Sequence, residues 1–303
     1  MSTPTSKRKI FFSISAILVV ISIIFLFVKG LNLGIDFTGG TTFQFELKDT
    51  KYSPAVEKEI KDLVKKHTGN SESVVQRVNG TGSDEVSVRT TRLDNTQSDN
   101  LKKALIEKYK FDAKTLRFET VSGTVSGRLI GESLQAIGLA VILMLLYIAW
   151  RFDFKSGTSA VLALVHDVLI MLGFYAIFGF NVSTSFIAAI LTIVGYSINA
   201  TIIIFDRIRE NNRTMRQATP DQIADKAIRD SYLRAINSSL TTLFTIGVLY
   251  VMGVDSIKEF ALPIIVGIVA GTYSSLFIAG PFWAWWNNGS VKKAKAGKRI
   301  KKQ

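Results

Sequence analysis

The chain has 303 residues, 48% of them hydrophobic, and a formal charge of +13 from 37 basic and 24 acidic side chains. Such basicity would suit nucleic acid in a soluble domain, but Gly30 to Ser133 holds 16 basic and 15 acidic residues. Nearly all the excess therefore sits in short clusters beside apolar runs, a membrane charge pattern that argues against a nucleic-acid partner. With no cysteine and only two histidines, disulfides and a His-rich metal site are excluded as well.

Lys7, Arg8 and Lys9 precede the apolar run Ile10–Val28, long enough at about 1.5 Å per residue to cross a hydrocarbon core of about 30 Å. The run exceeds the apolar region of a secretory signal. Lys29-Gly30-Leu31-Asn32 follows it in place of a small-residue cleavage site, so an uncleaved first span is expected. Residues 30–133 read as a soluble α+β domain. Thr42–Leu47 alternates like a strand and Ala55–His67 has helical spacing. Val74–Val78 and Glu85–Arg89 flank the turn Asn79-Gly80-Thr81-Gly82, Asp99–Tyr109 is a second amphipathic helix, and Thr115–Val121 a last strand. The order βαββαβ predicts a ferredoxin-like sheet with both helices on one face.

Five more spans are expected within residues 134–286: Leu134–Trp150, Ser159–Gly179, Ser185–Phe205, Asn237–Gly253 and Leu262–Trp286. An inner loop, 206–235, carries Arg207, Arg209, Arg213, Arg216, Lys226, Arg229 and Arg234, with a surface helix over Asp221–Tyr232. The tail, 287–303, adds Lys292, Lys293, Lys295, Lys298, Arg299, Lys301 and Lys302. Counted through six crossings, the basic clusters fall on one side, with Lys258 the exception. Both termini and the loop are thus expected in the cytoplasm, with residues 1–29 as the first segment and 30–133 outside. The tail suits the anionic lipid of the inner leaflet, and a ribosome or channel contact is the alternative.

Nothing resembles a nucleotide-binding loop, a nucleophile elbow or a metal-ligand cluster, so neither a catalytic residue nor a cofactor is implied. The informative side chains are ionisable ones at membrane depth. His166-Asp167 lies within span three, either as a polar pair satisfied by neighbouring helices or as a proton or coupling site. Asp206, Arg207, Arg209 and Glu210 end span four, where snorkelling charges serve as anchors. Arg234, before span five, can reach the bundle or the headgroups. Gly267, Gly271 and Ser275 place small side chains on one face of span six and permit close helix packing. Asp36-Phe37-Thr38-Gly39-Gly40 follows span one with two glycines suited to a tight turn.

Leu33-Gly34-Ile35-Asp36-Phe37-Thr38-Gly39-Gly40-Thr41 resembles the signature of the SecD/SecF family. Ala163-Leu164-Val165-His166-Asp167, Val194-Gly195-Tyr196-Ser197-Ile198-Asn199 and Phe205-Asp206-Arg207-Ile208-Arg209-Glu210-Asn211 are similar to its SecF branch in order and spacing. The resemblance covers nearly the whole chain. It implies half of a twelve-span unit of the resistance-nodulation-division superfamily, completed by SecD. Such a unit associates with the SecYEG channel, takes over preproteins after SecA, and uses the proton gradient in the bacterial cytoplasmic membrane. The implied relay candidates are His166, Asp167, Asn199, Asp206 and Arg234, with Asp36, Gly39, Gly40, Arg207 and Arg209 as structural motif residues.

Two departures bear on that expectation. Where many SecF proteins follow the span-four Asn with Asp, Asn199 is followed by Ala200, so the carboxylate of the usual carboxylate–arginine pair is missing. A Gly-Pro often found before span two is Ser122-Gly123 here. A homo-oligomeric exporter of small molecules or lipids from the same superfamily is the alternative function, and a membrane scaffold a third.

Overall fold

The computed structural model describes residues 3–47, 50–69, 73–77, 84–113 and 115–289. The basic tail and the turn Asn79–Gly82 lie outside the described residues. Six helices are long and apolar enough to cross a membrane: α1 (Arg8–Val28), α5 (Gly123–Arg151), α6 (Phe154–Phe178), α7 (Thr184–Thr214), α8 (Pro220–Met252), and a last helix from α9 (Asp255–Ser274) to Gly289. The last is interrupted by a π-helical turn, Ser275–Ala279. This is a multi-pass membrane protein.

The helices divide the chain into two compact units. One contains residues up to Gly30, Ala136–Ile177 and Ser185 onward; the other contains Leu31–Gln135 together with Phe178–Thr184. The spacer between spans three and four thus belongs to the inserted domain.

In the inserted domain, β2 (Gly40–Glu46), α3 (Pro54–Thr68), β3 (Ser73–Arg77), β4 (Glu85–Thr90), α4 (Asn95–Tyr109) and β5 (Arg117–Val121) follow in order. The sheet is antiparallel throughout, in the order β3-β4-β2-β5. Phe43 pairs with Val88 on one side and Phe118 on the other, Phe45 with Val86. This alternation sends Phe43, Phe45, Val86 and Val88 to one face, where they join Ile60 and Val64 of α3 and Leu101 and Leu105 of α4 in a dry core. Each such side chain contributes about 1.5–3 kcal/mol by leaving water. Sequence signals set the helix ends. Ser53 and Pro54 start α3 and left-handed Gly69 stops it, while Asp94 and Gln97 form a capping box for α4.

A second, two-stranded ladder joins distant segments of this unit. β1 (Asn32–Leu33) runs parallel to β6 (Asn181–Val182), and a four-residue helix, α2 (Ile35–Thr38), leads from β1 to the glycine pair. Gly40 has φ +114, and a Cβ there would collide with the carbonyl oxygen of Thr90. Only glycine suits that position.

In the helical unit, α6, α7, α8 and the last helix share a core of Ala160, Ala163, Ile204, Phe205, Ala227, Ile228, Leu276 and Ala279. The helices run further than the hydropathy pattern predicts. The helix of span four continues to Thr214 and that of span five begins at Pro220, so within the expected loop 206–235 only Met215–Thr219 is non-helical. Thr219 and Gln222 form a capping box around Pro220, and no glycine or proline interrupts the chain between there and Leu249 except Gly247. The expected surface helix is the first third of α8. It holds the N-terminal segment, with Thr5 N–H and hydroxyl on Asp225 at 3.0 and 2.5 Å and Arg8 on Asp221 at 2.8 Å.

Candidate functional site: a buried carboxylate among three spans

Asp167 is fully buried on α6. Its Oδ2 accepts from the hydroxyl of Ser197 on α7 at 2.6 Å and from Ser274 on α9 at 2.9 Å. Its Oδ1 lies 3.0 Å from Nδ1 of His166. A carboxylate among apolar helices is costly unless its lone pairs are filled, and here three spans supply the donors.

Small residues make room for it. A Cβ at Gly271 would lie 3.1 Å from Ser197 Cβ and 3.4 Å from Asp167 Oδ2, and one at Gly267 would lie 2.6 Å from Ile193 Cγ1 and 2.8 Å from Met171 Sδ. Ser275, next on the same face, shares a 2.8 Å hydrogen bond with Thr201. Ser274 is the last residue before the π-helical turn, and the two consecutive serines meet different partners, on α6 and α7.

His166 extends the cluster toward span one. Its ring stacks on Tyr273, centroids 6.1 Å apart. The Tyr273 hydroxyl donates to the Phe11 carbonyl at 3.0 Å and lies 3.3 Å from Ser15 Oγ. The His166 Nε2 is buried with no hydrogen-bond partner among the described residues.

The other expected relay residues lie elsewhere. Asp206, within α7, accepts from a single guanidinium nitrogen of Arg151 with both carboxylate oxygens, at 2.6 and 2.7 Å. Arg207 bonds Glu210 and Asp230, at 2.5 and 3.5 Å, and Arg209 is exposed. Asn199 and Arg234 are both exposed, and neither has a hydrogen-bond or ion-pair partner among the described residues. Asp36, by contrast, is engaged within the inserted domain, where its carboxylate accepts from Thr184. Sequence reasoning missed Ser197, Tyr273 and Ser274. The available signal was the need of a buried carboxylate for donors and the run of small polar residues Gly271–Ser275 on a span already marked as a packing face.

The helices differ in how much of their surface the chain itself covers. Of the most apolar window of each span, 61% is buried in the last helix and 50% in α7, but 11% in α8 and none in α5. Thr192, Gly195 and Asn199 of α7 are exposed, as are Arg234, Asn237, Ser238 and Thr241 of α8. Polar side chains on exposed faces of apolar helices are costly against lipid tails.

Comparison with known proteins gives the family. Residues 101–289 match the family described as "Protein export membrane protein SecD/SecF, C-terminal", and residues 24–51 match "SecD/SecF GG Motif". The protein translocase subunit SecF of Sebaldella termitidis is 37% identical over 278 residues, covering 90% of this chain and 88% of that protein. The protein translocase subunit SecDF of Bacillus subtilis is 34% identical over 296 residues, covering 96% of this chain and 39% of that longer one. The crystal structure of the translocon-associated membrane protein SecDF from Thermus thermophilus superposes with a TM-score of 0.82 at 32% identity. It covers 94% of this chain, which spans 38% of that one.

Proposed function

The chain belongs to the SecD/SecF family of protein-export membrane proteins, and from that membership we propose that it works as a SecF-type accessory subunit of the Sec preprotein translocase. The observation that carries the reading is the near-complete match to SecF proteins beside a partial match to SecDF chains that are more than twice as long. This chain matches 39% of the Bacillus subtilis SecDF, and the proposed partner of the matched part is a SecD-type unit. The exposed polar faces of α7 and α8 and the uncovered α5 support that pairing. Association with the SecYEG channel, and action on preproteins delivered through SecA, follow from the same membership.

Orientation follows from charge. The basic clusters place both termini and the α7–α8 connection in the cytoplasm, and the inserted domain on the outer side of the bacterial cytoplasmic membrane. The domain is read as ferredoxin-like, supported by its βαββαβ element order and its antiparallel β3-β4-β2-β5 sheet. The proposed division is residues 1–29, 30–133, 134–286 and 287–303, and the grouping of Phe178–Thr184 with Leu31–Gln135 adds that link to the outer domain.

Within the membrane, Asp167 is the proposed coupling residue of this subunit and His166 its proton-exchanging neighbour. Ala200 cannot titrate, Asp206 is occupied by Arg151, and Asp167 is held by hydroxyls from two spans whose relative position would change with its protonation. Arg234 is left for a group on SecD. A homo-oligomeric exporter finds no support among the relatives, which carry translocase names.

Purification of the tagged chain from its native membrane in gentle detergent tests the assignment. Recovery of a SecD-type partner with channel subunits is expected, whereas recovery of the chain only as a homo-oligomer would overturn it.

A further inference from the structure

Arg89 sits on β4 with its side chain on the face of the sheet opposite the two helices, paired across the ladder with Thr42 and Val74. Its guanidinium reaches four oxygen acceptors on three separate segments. One nitrogen donates to the Leu33 carbonyl and lies 3.5 Å from Asn181 Oδ1. The other donates to Asn32 Oδ1 and, at 3.0 Å, to Gln76 Oε1. Asn32 closes the set by donating to Gln76 Oε1 at 2.7 Å and to the Gly179 carbonyl at 2.9 Å. Every acceptor is neutral, and among the described residues Arg89 has no carboxylate partner. A half-buried cation held only by amide oxygens is an expensive way to add stability, but its planar fork suits the fixing of several segments in one register.

What it fixes is the ladder β1–β6. Asn32 and Leu33 follow span one, whereas Asn181 lies in the short link between spans three and four. Gly34 N–H donates to the Val182 carbonyl at 2.8 Å, and a Cβ at Gly34 would lie 3.1 Å from both Asn181 and Val182, so the two strands lie in close contact. These groups all fall in one compact unit with the β3-β4-β2-β5 sheet.

We propose that Arg89 is a positioning residue that clasps the link between spans three and four to the outer sheet, so that displacement of those spans reaches the domain through a rigid joint. The proposal rests on the translocase reading and deepens it. Spans three and four carry Asp167 and Ser197, so a change at the buried carboxylate has a direct covalent route to Phe178–Thr184. The clasp then makes that segment move with the sheet. The β1–β6 ladder and the Asp36–Thr184 hydrogen bonds tie the same link to the segment after span one, and Arg89 adds the tie to the sheet itself.

Two measurements on the full-length chain in its native complex test this. Hydrogen exchange of Arg89→Ala is expected to accelerate by about tenfold or more in residues 178–184 while residues 40–46 and 85–90 stay protected. Unchanged exchange in 178–184, or equal loss of protection throughout the sheet, would overturn the clasp. Arg89→Lys is expected to behave as the alanine variant, because an ammonium cannot span the four acceptors. For the second, Asn32→Cys/Gln76→Cys removes two clasp partners and is joined by a short bis-thiosulfonate. Preprotein export is expected to fall several-fold before cross-linking, recover on cross-linking and fall again with reductant. A cross-link that blocks export would show that ladder and sheet must separate, and would sink the rigid joint. If deletion of the chain itself left export unchanged, the translocase reading would fail, while the exchange measurement would still report the clasp.

Discussion

The carboxylate of Asp36 accepts hydrogen bonds from the backbone N–H and the hydroxyl of Thr184, at 2.8 and 2.9 Å, across 148 positions of chain. Thr184 is the first residue of α7, so Asp36 does from a distance what an N-cap side chain does locally. It also places a negative charge at the positive end of a long helix.

Asp36→Ala is therefore expected to cost about 0.5–2 kcal/mol, in the range of a lost N-cap. Asp36→Asn, which keeps an acceptor, should cost less. Thermal unfolding of the purified chain ranks the two; equal loss from both would assign the effect to charge rather than to the cap.

Asp167→Ala strands the Ser197 hydroxyl in the core, at about 1–3 kcal/mol, whereas the Ser274 hydroxyl keeps the Gly271 carbonyl at 3.2 Å. Asp167→Asn preserves volume and an acceptor, so the fold and partner binding are expected to survive. If Asp167 carries the coupling, that variant exports without response to the proton gradient in inverted vesicles. Retained gradient dependence in Asp167→Asn would reduce the cluster to a packing device.

Glycines separate into closed and open positions. Gly173→Ala places its Cβ 2.7 Å from Ser22 Cα on span one, and Gly267→Ala meets Ile193 and Met171. Both are expected to destabilise by about 1–3 kcal/mol through overpacking. Gly195 has open space around it within this chain. Gly195→Trp should leave the helical unit folded but abolish co-purification of the SecD partner, and normal recovery of the complex would place the partner on another face.

The outer domain has its own acid sensitivity. The hydrogen bond from Lys108 holds the Glu59 carboxyl below its ordinary value, with burial opposing and the Tyr109 hydroxyl assisting. A depressed carboxyl stabilises the fold above its unfolded pKa, and that contribution is lost as pH falls through the folded value. Glu59 is largely exposed, so the effect is small and screened by salt. Exchange rates of β2 and β4 amides should rise as pH drops below the usual carboxylate range, corrected for intrinsic rates. Glu59→Gln should flatten that rise. At the alkaline end Tyr52, pushed up to about 12 mainly by burial, contributes below its unfolded value near 10 and loses that contribution as pH climbs through 12.

Much of this architecture was legible because its signals are local. Six apolar runs, a basic cluster beside alternate ones and the period-two pattern of Phe43 and Phe45 need no partner to be read. The extent of α8 was readable too: Thr219-Pro220-Asp221-Gln222 is a helix start, and polar composition alone suggested a loop where a helix leaves the membrane. The clasp and the carboxylate cluster were not legible. Asn32 meets Asn181, and Asp167 meets Ser274, only through tertiary packing, and a polar side chain on an apolar helix does not announce which neighbour will satisfy it. The π-helical turn likewise has no composition of its own.

Span two is the most sparsely covered of the six, meeting the helical core through Ile148 near its end. A helix in that condition is stabilised by what surrounds it, and lipid gives it no fixed orientation. Synthesised without its companion, the chain would display α5 and the polar stripe of α8 to membrane proteases that survey unassembled subunits. If SecD is the companion, its supply is expected to set the abundance of the chain. Depleting SecD should shorten the lifetime of this protein before it alters anything about its fold.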